Sequence, residues 1–452
     1  MATLKHNSRD SAVSADMLQS GDPPIAAMQG LRRRVNGGGP ATGKLRATRF
    51  DVIALLLIVV CVLSIWELRL ALSYDEMTGE VSSQSFQPYF GNVTIGDFAI
   101  AVIYIWLWSL SEFRGFVGRL QHTWMGFACG GLSVCVLFIS PLSVEQNTLY
   151  NIKQAVQFAA DFVVVVPVFA FLVAYSSDVS RLFLMISLFF VVVILCGVVL
   201  YFFAGRQDVF RTSGDVRFYP NVAYDAMQYC VLAYAGVQIL SSSSHGRKLV
   251  ALLSIASFVL LAGLAASRTM FVAMIAVSAG MVAFGAYLRF RSVVLYCVVS
   301  AIVIFVVYSF MFVGVTDVSV FMVREEGFSD LQRNLLISEG LTRVSQSLPG
   351  LLLGLGWDKS GIHNFALQTF VDAGAFVAAF LMLLIFTPFL VFWRFRRVAP
   401  NTCRLGAGVL IGFVFFYSFN ALPTLRVYWI PMGIVVGLAM RARMAALGPT
   451  RP

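Results

Sequence analysis

The sequence predicts an all-α integral membrane protein with about twelve transmembrane helices and one large loop on the outer side. Three observations lead there. The 452 residues are 59% hydrophobic and only 12% charged, too apolar for a soluble chain of this size to bury. Apolar runs of about 18–22 residues recur, the length that crosses about 30 Å of hydrocarbon. The basic residues alternate between the ends of those runs, as the positive-inside rule requires.

Residues 1–48 are polar and carry Gly37-Gly38-Gly39-Pro40 and the triplet Arg32-Arg33-Arg34. They read as a disordered cytoplasmic tail, and 442–452 as a short cytoplasmic C-terminal tail. Between them, 49–441 form one polytopic membrane domain. The apolar runs lie near 51–68, 94–111, 123–140, 155–175, 182–203, 222–240, 249–266, 270–288, 293–313, 365–392, 405–423 and 427–440. The final run is short and contains Pro431.

A cytoplasmic N-terminus puts Arg114, Arg119, Arg181, Arg247, Lys248, Arg289, Arg394, Arg396, Arg397 and Arg441 inside. The net charge of +10 therefore follows topology and gives no reason to expect nucleic acid. Six of the seven cysteines fall inside apolar runs and Cys403 in an inner turn, so no disulfide is expected.

The loops on the outer side are more informative. Residues 204–220 place Arg206, Arg211 and Arg217 among Gly and Pro, a turn presenting cations just above the bilayer. Ser267-Arg268-Thr269 is the whole turn between two runs, so Arg268 stands where two helices meet. The largest loop is 315–364. Leu331, Leu335, Leu336, Ile337, Leu341, Val344 and Leu348 recur at near-helical spacing, predicting one or two short amphipathic helices. Gly354-Leu355-Gly356 should end them, and Trp357 fits an interfacial anchor.

Guanidinium groups match phosphate oxygens with a planar fork and stay protonated. Arg211 and Arg268, then Arg217 and Arg333, are candidates to hold a lipid-linked pyrophosphate and to stabilise charge on it as it departs. Binding of ordinary anionic headgroups is the competing explanation. His363 stands at the end of the large loop, beside Asn364 and the run starting at Phe365. A neutral imidazole is suited to activating a hydroxyl. Asn364 could orient it or bind sugar hydroxyls; a lone histidine at a helix start is also a common structural cap. Asp372, two and a half turns further on, could pair with an arginine or assist an acceptor. No metal motif, P-loop or dinucleotide fingerprint is visible, so neither metal nor nucleotide cofactor is expected.

The stretch Gly354-Leu355-Gly356 … His363-Asn364-Phe365 … Asp372-Ala373-Gly374, with the Ser267-Arg268 turn and Arg211-Thr212-Ser213-Gly214 … Pro220-Asn221, resembles the O-antigen ligase and polymerase superfamily. The likeness extends in layout over about 50–440, although its motifs are short. It implies a glycosyltransferase of the bacterial inner membrane, both termini cytoplasmic, acting at the periplasmic face. The implied donor is an undecaprenyl-pyrophosphate-linked glycan, used without metal or nucleotide. It further implies that Arg211 and Arg268 bind the pyrophosphate and that His363 activates the acceptor hydroxyl. Arg333 resembles a loop arginine preceding the histidine motif, and Asp372 stands where glutamate is common before glycine. A surface or exopolysaccharide polymerase is the favoured activity. Ligation to lipid A core, protein O-glycosylation and, in a different class, transport of a lipid-linked glycan remain open. Expected partners are the lipid-linked glycan, membrane lipids and other polysaccharide assembly proteins.

Overall fold

The structure is a computed structural model. It describes residues 40–63, 68–74, 81–86, 89–90, 93–138, 142, 148–203, 220–241, 244–264, 268–284, 326–357, 362, 364–417 and 429–447.

The chain opens with α1 (Pro40–Leu63), which begins inside the segment expected to be tail. Two antiparallel ribbons follow, β1 (Leu68–Tyr74) with β2 (Val81–Phe86) and β3 (Tyr89–Phe90) with β4 (Val93–Thr94). The remaining elements among the described residues are helical: α2 (Ile95–Ser109), α3 (Ser111–Gln121), α4 (Trp124–Phe138), α5 (Thr148–Ala160), a π turn (Asp161–Val165) and α6 (Val166–Ala174). Then come α7 (Val179–Phe203), α8 (Pro220–Ser241), α9 (His245–Leu264) and α10 (Arg268–Ala283). Last are α11 (Glu326–Ser345), α12 (Leu348–Leu353), α13 (Phe365–Phe395), α14 (Pro400–Tyr417) and α15 (Ile430–Leu447).

Helices lie over every predicted run except 293–313, which falls outside the described residues. Among the described residues, four segments are long and apolar enough to cross a membrane: Gln154–Ala174, Val179–Cys196, Phe365–Phe395 and Ile430–Leu447. The pair α2 and α3, bent by 97°, gives a fifth if counted as one. Pro431 does not break the last helix. It occupies the first turn, where its missing N–H costs nothing, and α15 runs on to Leu447.

The right-angled bend before α3 has a simple cause in its sequence. Phe113, Phe116 and Leu120 share one face and are buried, while Arg114 and Arg119 are exposed. Phe113 and Phe116 pack edge-on against Phe171 of α6, with ring centroids 5.2 and 5.7 Å away. The helix therefore lies across the end of the bundle.

The centre of the bundle is α6, whose residues are all buried. The π turn before it widens the backbone ahead of Pro167, with the Val166 N–H reaching back to the Asp161 carbonyl. Close packing of α15 against α6 depends on two glycines one turn apart. A Cβ on Gly433 would lie 2.8 Å from Phe169 Cβ, and one on Gly437 would lie 2.6 Å from the Ala170 carbonyl oxygen. This is small-residue packing of the kind that joins helices where lipid supplies no hydrophobic drive.

At the C-terminal end of α6, several segments expected on the inner side meet. Arg441 Nη1 donates to the carbonyl oxygens of Ser176 at 2.8 Å and Ala174 at 3.5 Å, closing a helix end that would otherwise leave them bare. Ser177 Oγ donates to the buried Asp51 carboxylate of α1, and Arg119 of α3 donates to the Tyr175 hydroxyl. Burial pushes the Tyr175 hydroxyl up, and the Arg119 guanidinium opposes that shift.

Gly437→Val should lower stability in detergent by about 1–3 kcal/mol through the forced separation of α15 from α6. Gly118→Ala, where an added Cβ meets nothing within 4 Å, should leave the thermal midpoint level or slightly raised. Equal midpoints for both variants would contradict this packing.

Candidate functional site at a broken helix

Two helices, α11 and α12, lie in the segment expected to form one or two short amphipathic helices. Ser347 caps α12, its Oγ accepting from the Gly350 N–H at 3.0 Å. Gly354 ends α12 with φ +80°. The chain then passes Leu355, Gly356 and Trp357, all buried.

Asn364 starts α13. Its side-chain oxygen accepts from the Leu367 N–H at 3.1 Å, an N-cap of ordinary geometry. The role that this structure shows for Asn364 is thus local: it defines where the helix begins. Ten residues after Asn364 the helix breaks, because Gly374 has φ +86° and ψ 173°. The half before it, 365–373, is about 14 Å long; the half after it, 375–395, is about 31 Å and could cross hydrocarbon alone. Asp372 is therefore not in the middle of a continuous span. It lies at the end of a half-helix.

A break of this kind releases carbonyls. In an unbroken helix, Val371 and Asp372 would accept from residues 375 and 376. Here the Leu355 N–H donates to the Val371 oxygen at 2.8 Å and the Gly356 N–H to the Asp372 oxygen at 3.0 Å. The turn after α12 completes the broken end of the half-helix.

Both glycines are required twice over. Each has a positive φ that side chains disfavour, and each has no room for a Cβ. On Gly354 that atom would lie 2.3 Å from the Asp372 oxygen; on Gly374, 2.2 Å from the Leu352 oxygen. Two backbones thus meet face to face, glycine against carbonyl on each side.

Two clusters hold this junction. Val344, Leu355, Ile362 and Val371 form a small core of their own, with Ile337 and Leu341 of α11 packed against it. Gly340 lets α11 approach, since a Cβ there would be 2.9 Å from Ile362. On the bundle side, the Trp357 ring lies 5.0 Å from Phe158, and Trp429 lies 5.3 Å from Phe158 and 4.8 Å from Phe162. Trp357 is buried in this aromatic group, not exposed as an interfacial anchor would be.

The structure brings together two sequence candidates, the Gly354-Leu355-Gly356 turn and Asp372; Asn364 caps the opposite end of the half-helix, about 12 Å of helix away. Asp372 is 1% exposed. It lies in the last turn of one half-helix, where the dipole disfavours negative charge, and just ahead of the next, where it favours it. Arg333 lies on α11, which packs against this half-helix; Arg268 is the first residue of α10, which packs instead against α8 and α14. His363, Arg211 and Arg217 lie outside the described residues.

One buried carboxylate is not among the sequence candidates. Asp161, fully buried, opens the π turn between the two phenylalanines that hold Trp357 and Trp429. Its signal was a single acidic residue within the apolar run 155–175. Interrupted helices and π turns both recur at functional sites, which makes the break at Gly374 and the π turn at Asp161, linked through the Trp357 and Phe158 rings, the best candidates among the described residues.

No protein-family model matches the chain, and no curated protein is significantly similar to it.

Gly374→Ala should uncouple the loop from the half-helix, with a loss of at least about 1–3 kcal/mol from backbone strain alone. Limited proteolysis within 326–357 should accelerate while the variant remains membrane-inserted. Unchanged proteolysis would contradict the clash with the Leu352 carbonyl. Asn364→Ala should cost about 1 kcal/mol in thermal stability, and Asn364→Asp should retain most of it; equal losses in the two would argue against a capping role.

Proposed function

We propose that the chain is a membrane glycosyltransferase that moves a glycan from an undecaprenyl-pyrophosphate donor to a sugar hydroxyl at the periplasmic face of the bacterial inner membrane. A surface or exopolysaccharide polymerase is the favoured form; ligation to lipid A core and protein O-glycosylation are its variants. In this reading the bundle has about twelve spans, with 315–364 as the periplasmic loop.

The observation that carries the proposal is the junction itself. The turn Gly354-Leu355-Gly356 and the break Asp372-Ala373-Gly374, whose sequences suggest this chemistry, pair backbone to backbone. That contact ties the loop helices to the half-helix that starts at Asn364, the residue that follows His363 in the sequence. A proton acceptor in such a place can be held in one geometry, as activation of a weak sugar hydroxyl requires. Arg211 and Arg268, with Arg217 and Arg333, would hold the pyrophosphate and stabilise its departure.

A second reading has one observation in its favour. Interrupted helices also line substrate paths in transporters, and Gly374 interrupts α13. A lipid-linked glycan transporter would move its substrate without changing it.

Purified protein in liposomes, given polyprenyl-pyrophosphate glycan and acceptor, should yield lengthened or transferred glycan. His363→Ala should lower turnover by about 100-fold or more. Arg268→Lys keeps charge but loses the fork, and should lower donor use by at least about tenfold. Unchanged turnover in His363→Ala would remove the proposed base. Substrate movement with no change in the glycan would favour the transporter.

A further inference from the structure

A second polar locus lies at the other end of the molecule, where α7, α8 and α9 meet. From Phe158, beside the junction, to Ala174 is about 24 Å of helix. The inference drawn there depends only on the chain lying in a membrane and not on glycosyl transfer.

Ser180, in the first turn of α7, receives two donors. Gln238 Nε2 of α8 donates to its Oγ at 3.2 Å, and Arg247 Nη1 of α9 donates at 3.4 Å. Deeper along the same stripe of α7, Phe183 stacks on Tyr234 of α8, and Ser187 follows at the next turn. Tyr234, Gln238 and Ser187 are all buried. Gln238 Oε1 and Ser187 Oγ have no hydrogen-bond partner among the described residues, while the Tyr234 hydroxyl faces the Ser180 hydroxyl. Burying such atoms unpaired is unfavourable in any interior and more so within lipid.

The mouth of this corner is cationic. Arg181, His245 and Arg247 are exposed and Lys248 is half-buried. The nearby Asp178 carboxylate accepts from the Arg181 backbone N–H at 3.2 Å, capping α7. From the same mouth, apolar side chains run outward along both helices: Leu249 and Leu253 on α9, Leu188 and Val192 on α7, all exposed. Cations at the entrance, unpaired hydroxyl and amide groups within, and apolar lanes alongside match the three parts of a lipid.

We propose that this corner binds a hydroxyl-bearing anionic phospholipid of the phosphatidylglycerol class. Arg247 and Lys248 take the phosphate. A headgroup hydroxyl donates to Gln238 Oε1, and the acyl chains lie along α7 and α9. A free glycerol phosphate would leave the apolar lanes unused, so a lipid and not a soluble anion is the occupant.

Native mass spectrometry of the full chain, exchanged into mixed phosphatidylglycerol and phosphatidylcholine vesicles and extracted, tests this. Wild type should retain one phosphatidylglycerol in at least tenfold preference. Arg247→Gln should bring that preference near parity, and Gln238→Leu, which keeps an apolar helix contact, should reduce it severalfold. Thermal midpoints identify any variant that fails to fold, and Ser187→Ala, the least disruptive change, should then still weaken retention. Equal retention of the two lipids by wild type would overturn the proposal. So would a preference that survives all three substitutions, or one abolished by soluble glycerol phosphate at millimolar concentration.

Discussion

The local architecture depends on one contact: two peptide N–H groups of the Gly354-Leu355-Gly356 turn bonded to two carbonyls freed by the break at Gly374. Each bond adds only about 1 kcal/mol net, but leaving the four groups buried and unpaired would cost more than forming the bonds returns. The break and the turn therefore require one another. Without the turn, the half-helix would end in bare carbonyls. Without the break, the buried turn would have no acceptors. Glycine at 354 and at 374 is what lets the two backbones come close enough.

Other features keep that contact in place. Trp357 anchors the turn in an aromatic group with Phe158, Phe162 and Trp429, which joins the loop to α5, the π turn and the start of α15. Phe413 of α14 extends it, 6.1 Å from Trp429 and 6.2 Å from Phe365. At the far end of α6, Arg441, Arg119 and Asp51 converge on the turn after Ala174. Rigid packing between the two ends, through Gly433 and Gly437, makes the central helix a fixed post against which the junction is set. A site built on such a post can hold its groups in place, as the proposed chemistry needs.

Much of the helical layout was legible as apolar runs, because membrane helices are specified largely by length and composition. The loop helices were legible too: Leu341 and Val344 followed a helical period, and they pack where that period pointed. What composition could not show was backbone direction. Asp372-Ala373-Gly374 sits in an otherwise apolar run and reads as continuous helix, although one positive φ divides it. Trp357 read as an interfacial residue because Gly and charged neighbours surround it; only the fold shows which aromatic rings it meets. The composition of β1 and β2 does not announce a hairpin, since hairpin pairing is a contact between segments. Asn364 was legible as a helix start, and its N-cap geometry supports that. Asp161 reads as one acidic residue in an apolar run, because the π turn that it opens ahead of Pro167 is a backbone feature that composition does not show.

The central claim is that the loop is latched to the broken helix through the Leu355 and Gly356 amides. Amide hydrogen exchange of the full chain in nanodiscs, resolved to these two positions, measures it directly. The account predicts that both amides exchange as slowly as those of 368–373 in the half-helix, and that both become fast in Gly374→Ala. Fast exchange at 355 and 356 in the wild type, at the rate of an open loop, would contradict it.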